Sequence, residues 1–468
     1  MTKLTAPFET FANTLKTAKV PQEFLRTGLI GGEALIDTPT GPKKLVYADY
    51  VASGRALRQV ETFVMEEVLP FYANTHTDAS FCGARMGALR EGAREVVREH
   101  CGARAQEHAV IFSGSGATTG LNQLMHLMGV GAGDTVLVGP YEHHSNLLPW
   151  RESGADVIEV PEGDLPGPDR KILTQLLTER GTTGRVIVAL SAAANVTGVC
   201  TDVAALTRLV KHHGGIMVWD YAGGGPYLPM QMTPVVGAEI DALVFSPHKC
   251  IGGPGASGVL VMRQELACAR VPYRPGGGTV AFVNAHQHDY VTKLEQREEG
   301  GTPNVVGDIR VALALQVKEV IGQEAMTARN DVLTARAFAA WENEPRLRIL
   351  APERKERLPI LSFVPLNAYG ERIDHNAFTR ALSEQYGIQA RGGCSCAGPY
   401  VHELLKIGDD QSSVIRTDIL QGPGTAKPGF VRLNLSVLMT DETVNYILAS
   451  VAELARSWDL EPQAAMAS

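Results

Sequence analysis

A chain of 468 residues that is 44% hydrophobic and 20% charged is too long for one hydrophobic core and reads as a globular protein of two or three domains. Its 43 basic and 51 acidic residues leave a net charge of −8, which argues against nucleic acid or an anionic membrane as the main partner. Seven cysteines, an odd number in a large chain with no secretory leader, favour reduced thiols in the cytoplasm over a disulfide framework.

Residues 1–45 read as an irregular N-terminal arm whose start, MTKLTAPFETFANTLKTAKV, holds no apolar run of signal-peptide length. YADYVASGR opens a large domain expected over 46–306. Between about 108 and 262, HAVIFSGS, TVLVGP, ADVIEV, RVIVALS, GIMVWD and DALVFS are short β-branched runs bounded by Gly, Pro, Asp or Ser. Helix-like stretches such as ATTGLNQLMHLM and DVAALTRLVKHH lie between several of them. That alternation predicts an α/β fold with a mostly parallel sheet covered on both faces. The longest mostly apolar stretch, VIVALSAAANVTGVC (186–200), is too short to span a bilayer.

Residues 307–468 predict a smaller α+β domain. VALALQVKEVIGQEAM and LTARAFAAWEN read as long helices, LPILSFVPL and VRLNLSV as strands, and DETVNYILASVAELARSWD as a closing helix. Pro399–Phe430, with GPGTAKPG at its end, reads as a long Gly/Pro loop and so as a candidate cover for a site.

The motif that speaks most directly of chemistry is SPHKCIGGPGASGVLV (246–261), where a strand ends in Ser246-Pro247-His248-Lys249 before a glycine-rich turn. A desolvated lysine loses basicity and becomes an amine nucleophile able to form a Schiff base. Local pattern alone leaves Lys249 equally a surface residue at a strand end. The odds change with GIMVWDYAG (215–223), a buried-looking strand ending in Asp220. Acids at the carboxyl ends of parallel strands face the crevice where ligands bind. An aspartate followed by a lysine is the order in which a carboxylate holds a pyridine nitrogen and a lysine holds the aldehyde of pyridoxal phosphate. FSGSGATTGLN (112–122) adds a strand, glycines and a helix start, whose backbone at Gly116 and Ala117 and hydroxyls of Thr118 and Thr119 suit a phosphate. The glycines miss GxGxxG by one residue and GxxxxGK[ST] is absent, so dinucleotide and ATP readings lose. YEHHSNLLPW (141–150) carries adjacent histidines with no metal-ligand partner at the right spacing. No metal is expected; one histidine could instead stack on a flat cofactor.

EHHSNLLPW, NVTG, WDYAG, SPHK, GGTPN and RGGCSCAG, in that order, resemble the class V aminotransferase family, and within it the cysteine desulfurase and selenocysteine lyase branch. The resemblance runs over about 45–455. It implies a fold-type I pyridoxal-phosphate-dependent transferase. In it Lys249 matches the Schiff-base lysine, Asp220 the partner of the ring nitrogen, and His143 the stacked histidine. Asn195 matches the asparagine near the cofactor oxygen and the substrate carboxylate. Thr118, Ser246 and His248 match phosphate ligands. Thr302 matches a phosphate contact supplied from a second subunit, which implies a homodimer with a shared site. Arg432 matches the arginine that grips the substrate carboxylate, and Cys396 the sulfur-accepting cysteine. The family's glutamine or histidine three residues after the aspartate is absent, for Gly223 stands there, and Cys394 matches no family role.

RGGCSCAG (391–398) then reads as a mobile, glycine-flanked thiol segment in which Arg391 supplies positive charge favouring thiolate and contacts substrate. The expected activity is removal of sulfur from a small amino acid, cysteine or similar, with Cys396 as acceptor and a protein as onward sulfur acceptor. Selenocysteine lyase, carbon–sulfur lyase or aminotransferase chemistry on the same cofactor stays open, as does a sulfur-carrier scaffold.

Overall fold

The computed structural model describes residues 6–422 and 427–459. The chain forms two compact units: one of residues up to Gly28, Ser53–Ala192 and Thr201–Gln323, the other of Leu29–Ala52, Ala193–Cys200 and residues from Glu324 on.

The first unit is built on a seven-stranded sheet. Its strands in chain order are β1 (His108–Phe112), β2 (Thr135–Val138), β3 (Asp156–Glu159), β4 (Val186–Ser191), β5 (Ile216–Asp220), β6 (Ala242–Phe245) and β7 (Val259–Arg263). The spatial order is β1-β7-β6-β5-β4-β2-β3. Strands β3, β2, β4, β5 and β6 run parallel, as the continuous apolar runs required. Strand β7 is antiparallel to both β6 and β1, so β1 points the same way as β6. Six strands therefore bring their carboxyl ends to one edge, the edge where α/β sheets bind ligands.

The longer helices of this unit are α1 (Ala6–Lys16), α2 (Pro21–Thr27), α3 (Phe81–His100), α4 (Ala117–Leu127), α5 (Arg170–Arg180), α6 (Val203–His212) and α7 (Val305–Ile321). The arm expected to be irregular is helical over Ala6–Lys16 and Pro21–Thr27, and carries a short antiparallel strand pair, Leu35–Ile36 with Lys43–Lys44. Phe8, Phe11, Ala12 and Leu15 recur at helical spacing and are buried, with the Phe8 and Phe11 rings 6.0 and 5.6 Å from Phe63. Pro21 opens α2, where its missing N–H costs nothing.

A buried ion network fastens the stretch before α7 to the sheet. Arg94 of α3 donates through Nη1 to Glu299 Oε1 at 2.8 Å, Arg90 also pairs with Glu299, and Phe112 N donates to Glu299 Oε1 at 2.7 Å. Arg90 Nε also reaches Asp308 Oδ2 at 2.6 Å. Burial pushes the Glu299 carboxyl up, but Arg94 and Arg90 overcome it and hold the group below its ordinary value.

The second unit carries a four-stranded antiparallel sheet of β8 (Leu347–Ile349), β9 (Ile360–Pro365), β10 (Arg391–Gly393) and β11 (Phe430–Asn434), in the order β8-β9-β11-β10. Its helices are α8 (Gln323–Trp341), α9 (His375–Tyr386), α10 (Gly398–Leu405), α11 (Asp409–Gln421) and α12 (Asp441–Ser457). Two expectations change here. The single helix expected through 311–326 breaks at Gly322, whose φ of +83° suits glycine. The expected loop 399–430 is mostly helical, because Pro399 sits in the first turn of α10 and Lys406 closes that helix in the left-handed conformation. Part of GPGTAKPG, residues 423–426, lies outside the described residues.

Candidate active site

The candidate residues fall into two sets, one in each unit. In the first unit, strand ends deliver them. Asp220 is the last residue of β5, Ser246 follows β6, Glu142 and His143 follow β2, and Gly116 follows β1. Ser191, the last residue of β4, is the register partner of Asp220.

Asp220 is buried and accepts the Ala222 N–H on Oδ1 at 2.7 Å. Burial pushes its carboxyl up, while the Ala222 hydrogen bond and the charge of Lys249 pull it down. Lys249 closes a single 3-10 turn, Pro247–Lys249, with its N–H on Ser246 O at 3.0 Å. Burial first, and then the Lys249 charge, push the His248 imidazole below its ordinary range, which favours the neutral ring.

Gly116 starts α4 with φ +117°. A Cβ there would stand 3.1 Å from Ser246 Oγ and 3.3 Å from His248 Cε1, and one on Gly258 would lie 2.5 Å from Gly116 backbone. Ala117 N donates to Ser246 Oγ at 3.0 Å, and Thr118 Oγ1 lies 2.7 Å from Ser145 Oγ. A helix N-terminus ringed by three hydroxyls and an imidazole, kept open by side-chain-free backbone, is a donor set that fits a phosphate monoester. His143 Nδ1 accepts the Ser145 N–H at 3.1 Å, so its neutral ring carries the proton on Nε2. Thr302 is exposed, just before the Asn304 cap of α7.

Two partners of this set were not singled out from sequence. Ser145 joins Thr118 to His143, whose Nδ1 is 3.0 Å from Ser145 Oγ. Glu142 is buried and accepts Ser191 N at 3.0 Å, Ser191 Oγ at 2.7 Å and Asn146 Nδ2 at 2.5 Å. Burial raises its carboxyl to about 7, against those hydrogen bonds and with the Asp220 charge adding to the rise. Both lie within EHHSN, so their position was visible but their partners were not.

In the second unit Arg391 and Arg432 face each other across β10 and β11. Asp49 bridges them, with Oδ2 2.9 Å from Arg391 Nε and Oδ1 2.9 Å from Arg432 Nη2. It arrives because 46–47 runs beside 388–389 in parallel register. Arg432 is buried and also donates from Nη1 to Asn195 O at 3.1 Å. The charge of Arg391 is therefore shared with a carboxylate. No sequence pattern marks Asp49.

Cys396 is exposed and Cys394 half-buried. The glycines before them are not loose: Arg391–Gly393 pairs with Phe430–Arg432 as a strand. Only the next residues turn. Ser395 and Cys396 take φ +51° and +56°, and Ala397 N bonds Cys394 O at 3.3 Å, the signs of a type I′ turn. Left-handed backbone on two non-glycine residues costs on the order of 1–2 kcal/mol each, so contacts must hold it. One is Asn195 Nδ2, which donates to Ser395 O at 2.8 Å. Among the described residues Asn195 Oδ1 and Ser395 Oγ, both buried, have no hydrogen-bond partner, and buried polar atoms left so await a ligand or water.

A mostly parallel sheet that brings a lysine, a buried acid, a histidine and a phosphate-type cradle to one edge is the layout of a fold-type I pyridoxal-phosphate-dependent enzyme. The aminotransferase class-V family matches residues 46–447, and the chain belongs to that family. It is 30% identical over 362 residues to a probable cysteine desulfurase of Vibrio cholerae, covering 76% of this chain and 85% of that protein. A probable cysteine desulfurase of Streptomyces coelicolor is 29% identical over 368 residues, covering 76% and 84%. The apo structure of a cysteine desulfurase from Thermococcus onnurineus superimposes with a TM-score of 0.75 at 23% identity, covering 94% of this chain and 99% of that one; at that identity it speaks for the fold.

Proposed function

We propose that this chain is a cysteine desulfurase, taking sulfur from L-cysteine to leave L-alanine and a persulfide on Cys396. The observation that carries the reading is the Cys396 turn. An exposed thiol is presented by strained backbone, tied through Ser395 to Asn195, whose own carbonyl accepts from Arg432.

Pyridoxal phosphate, when bound, supplies an electron sink that makes the α-carbon of an amino acid acidic. Lys249 is the amine that would hold its aldehyde, Asp220 would keep the ring nitrogen protonated, and the imidazole of His143 would lie against the ring. The α4 N-terminus at Gly116 and Ala117, with Thr118, Ser145, Ser246 and His248, would take the phosphate. Arg432, oriented by Asp49 and the Asn195 carbonyl, grips the substrate carboxylate. Asn195 adds its amide at the same place, and Arg391 flanks it. Lys249 Nζ, as a free amine, would take the α-proton. The Cys396 thiolate attacks the substrate Sγ. A sulfur–sulfur bond forms, the carbon–sulfur bond breaks with its electron pair passing to the substrate β-carbon, that carbon gains a proton, and Lys249 Nζ returns the α-proton to the α-carbon. Cysteine and enzyme thiol thus become alanine and persulfide, with no outside oxidant.

The exposed Thr302 fits a homodimer in which a second copy completes each phosphate cradle, and the reactive persulfide fits a reducing cytoplasm and a protein acceptor. No helix among the described residues is long and apolar enough to cross a membrane.

The test is mass spectrometry of the peptide bearing Cys394 and Cys396 after turnover with cysteine. Added sulfur on Cys396, lost in Cys396→Ala together with alanine release, is expected. Alanine release at the parental rate from Cys396→Ala would remove the persulfide step. Pyruvate or a keto acid as product would mark a lyase or an aminotransferase.

A further inference from the structure

Helix α7 carries a buried charge that this chemistry does not use. Lys318 lies in its last turn and is 6% exposed. Its Nζ donates to Gly225 O at 2.7 Å and to Leu228 O at 2.5 Å. Lysine is almost never fully buried unless paired, yet its bonded acceptors among the described residues are these two carbonyls. Glu319, the next residue, turns instead to His100 Nδ1 at 3.0 Å.

Both carbonyls belong to the turn AGGGPYL (222–228) that directly follows Asp220. The turn is tight: Gly225 N donates to Tyr221 O at 2.6 Å. A Cβ on Gly225 would lie 2.8 Å from that same oxygen and 3.1 Å from Met230 Sδ. Three successive glycines give the backbone little reason of its own to keep one conformation. Its own bonds, Tyr227 N and Leu228 N each on Gly224 O at 2.8 Å, close the turn, and Lys318 and Gln323, whose Nε2 reaches Tyr227 O at 2.7 Å, pin it from outside. At the head of the turn, the Ala222 N–H holds Asp220 Oδ1.

We propose that Lys318 is a positioning residue for Asp220: it clamps the glycine turn through the carbonyls of Gly225 and Leu228, and the clamped turn aims the Ala222 N–H that orients the Asp220 carboxylate. The proposal rests on Asp220 being the partner of the cofactor's ring nitrogen. It also accounts for how the turn keeps its shape with Gly223 where the resemblance expects a larger side chain.

Burial pushes the Lys318 amine down to about 8, against the pull of Cys250, Cys101 and Glu319; His100 also lies within its field. A neutral amine keeps two N–H donors, one for each carbonyl, so the clamp holds on either side of that pH.

Lys318→Met removes both donors at similar volume. Amide hydrogen exchange on the cofactor-free protein is expected to quicken at least tenfold in peptides covering 221–228, with the other strand ends unchanged. In protein reconstituted with pyridoxal phosphate, the pH midpoint of the visible absorption band is expected to move by half a unit or more. Unchanged exchange overturns the clamp. Faster exchange with an unmoved midpoint overturns the role toward Asp220. If Lys318→Met does not fold, Lys318→Gln, which keeps an amide donor, is read by the same two measurements with smaller changes expected. A wild-type protein that develops no visible band with pyridoxal phosphate defeats the reading of the site, and the exchange result then decides the clamp by itself.

Discussion

The two units assemble their candidate residues by different means. In the first, Gly116, His143, Ser191, Asp220 and Ser246 arrive with their strands, because parallel strands end together. In the second, Asp49 meets Arg432 across 383 residues of sequence, and Asn195 holds the Cys396 turn across 200. A side chain at a strand end can be lost without moving its neighbours. A side chain that bridges segments takes the arrangement with it.

The largest effect should come from the first kind. On the proposed role of Lys249 as covalent anchor and base, Lys249→Ala should lower turnover by at least about 10³-fold. Melting temperature without cofactor should change far less than turnover, since Lys249 lies on one short 3-10 turn. A large loss of apo stability would break the contrast.

Glu299 is the place where the first unit behaves like the second. It gathers Arg90, Arg94 and the Phe112 N–H from residues far away in sequence. Glu299→Gln removes the negative charge that two buried guanidiniums share, so unfolding free energy by urea titration should drop by about 3–5 kcal/mol. KM for the amino acid should stay put, because the network lies on the scaffold side. A shift in KM with unchanged stability would show the opposite.

Asp49→Asn sharpens the contrast from the other side. It keeps the shape of the bridge and weakens both arginine contacts. Loss of a charge-assisted hydrogen bond is worth about 1.5–3 kcal/mol, so KM should rise about 10- to 100-fold with kcat much less affected. Equal falls in kcat and kcat/KM would mean that Asp49 acts on the reacting atoms instead.

This division also explains what could be read from sequence. Runs such as GIMVWD and DALVFS are buried on both faces, so their composition announces parallel strands, and the residues at their ends inherit that placement. Asp220 and Lys249 were visible for that reason. Asp49 carried no such mark, since its meaning comes from the pairing of 46–47 with 388–389. Lys318 looked like one more charged residue on a helix. The Pro399–Phe430 stretch misled because Gly398-Pro399 reads equally as a loop and as a helix start, and only the burial of Tyr400, Val401 and Leu405 decides between them.

The smallest effect tests whether the buried acids at the strand ends act as a pair. Glu142 has an ordinary value of 4.5 that the fold raises to about 7. A carboxyl raised on folding binds more protons in the folded state than in the unfolded state between those two values. Its contribution to stability is therefore complete below 4.5 and is lost as pH climbs toward 7. The slope from one group cannot exceed about 1.4 kcal/mol per pH unit. In cofactor-free protein, the urea midpoint should decline over that window, and Glu142→Gln should flatten the decline while its amide oxygen keeps the Ser191 N–H bond. If Asp220 contributes to the rise, Asp220→Asn should move the same slope to lower pH without abolishing it, because burial is the larger cause. A slope untouched by Glu142→Gln would place the proton elsewhere and leave Asp220 as the sole titrating acid at this edge.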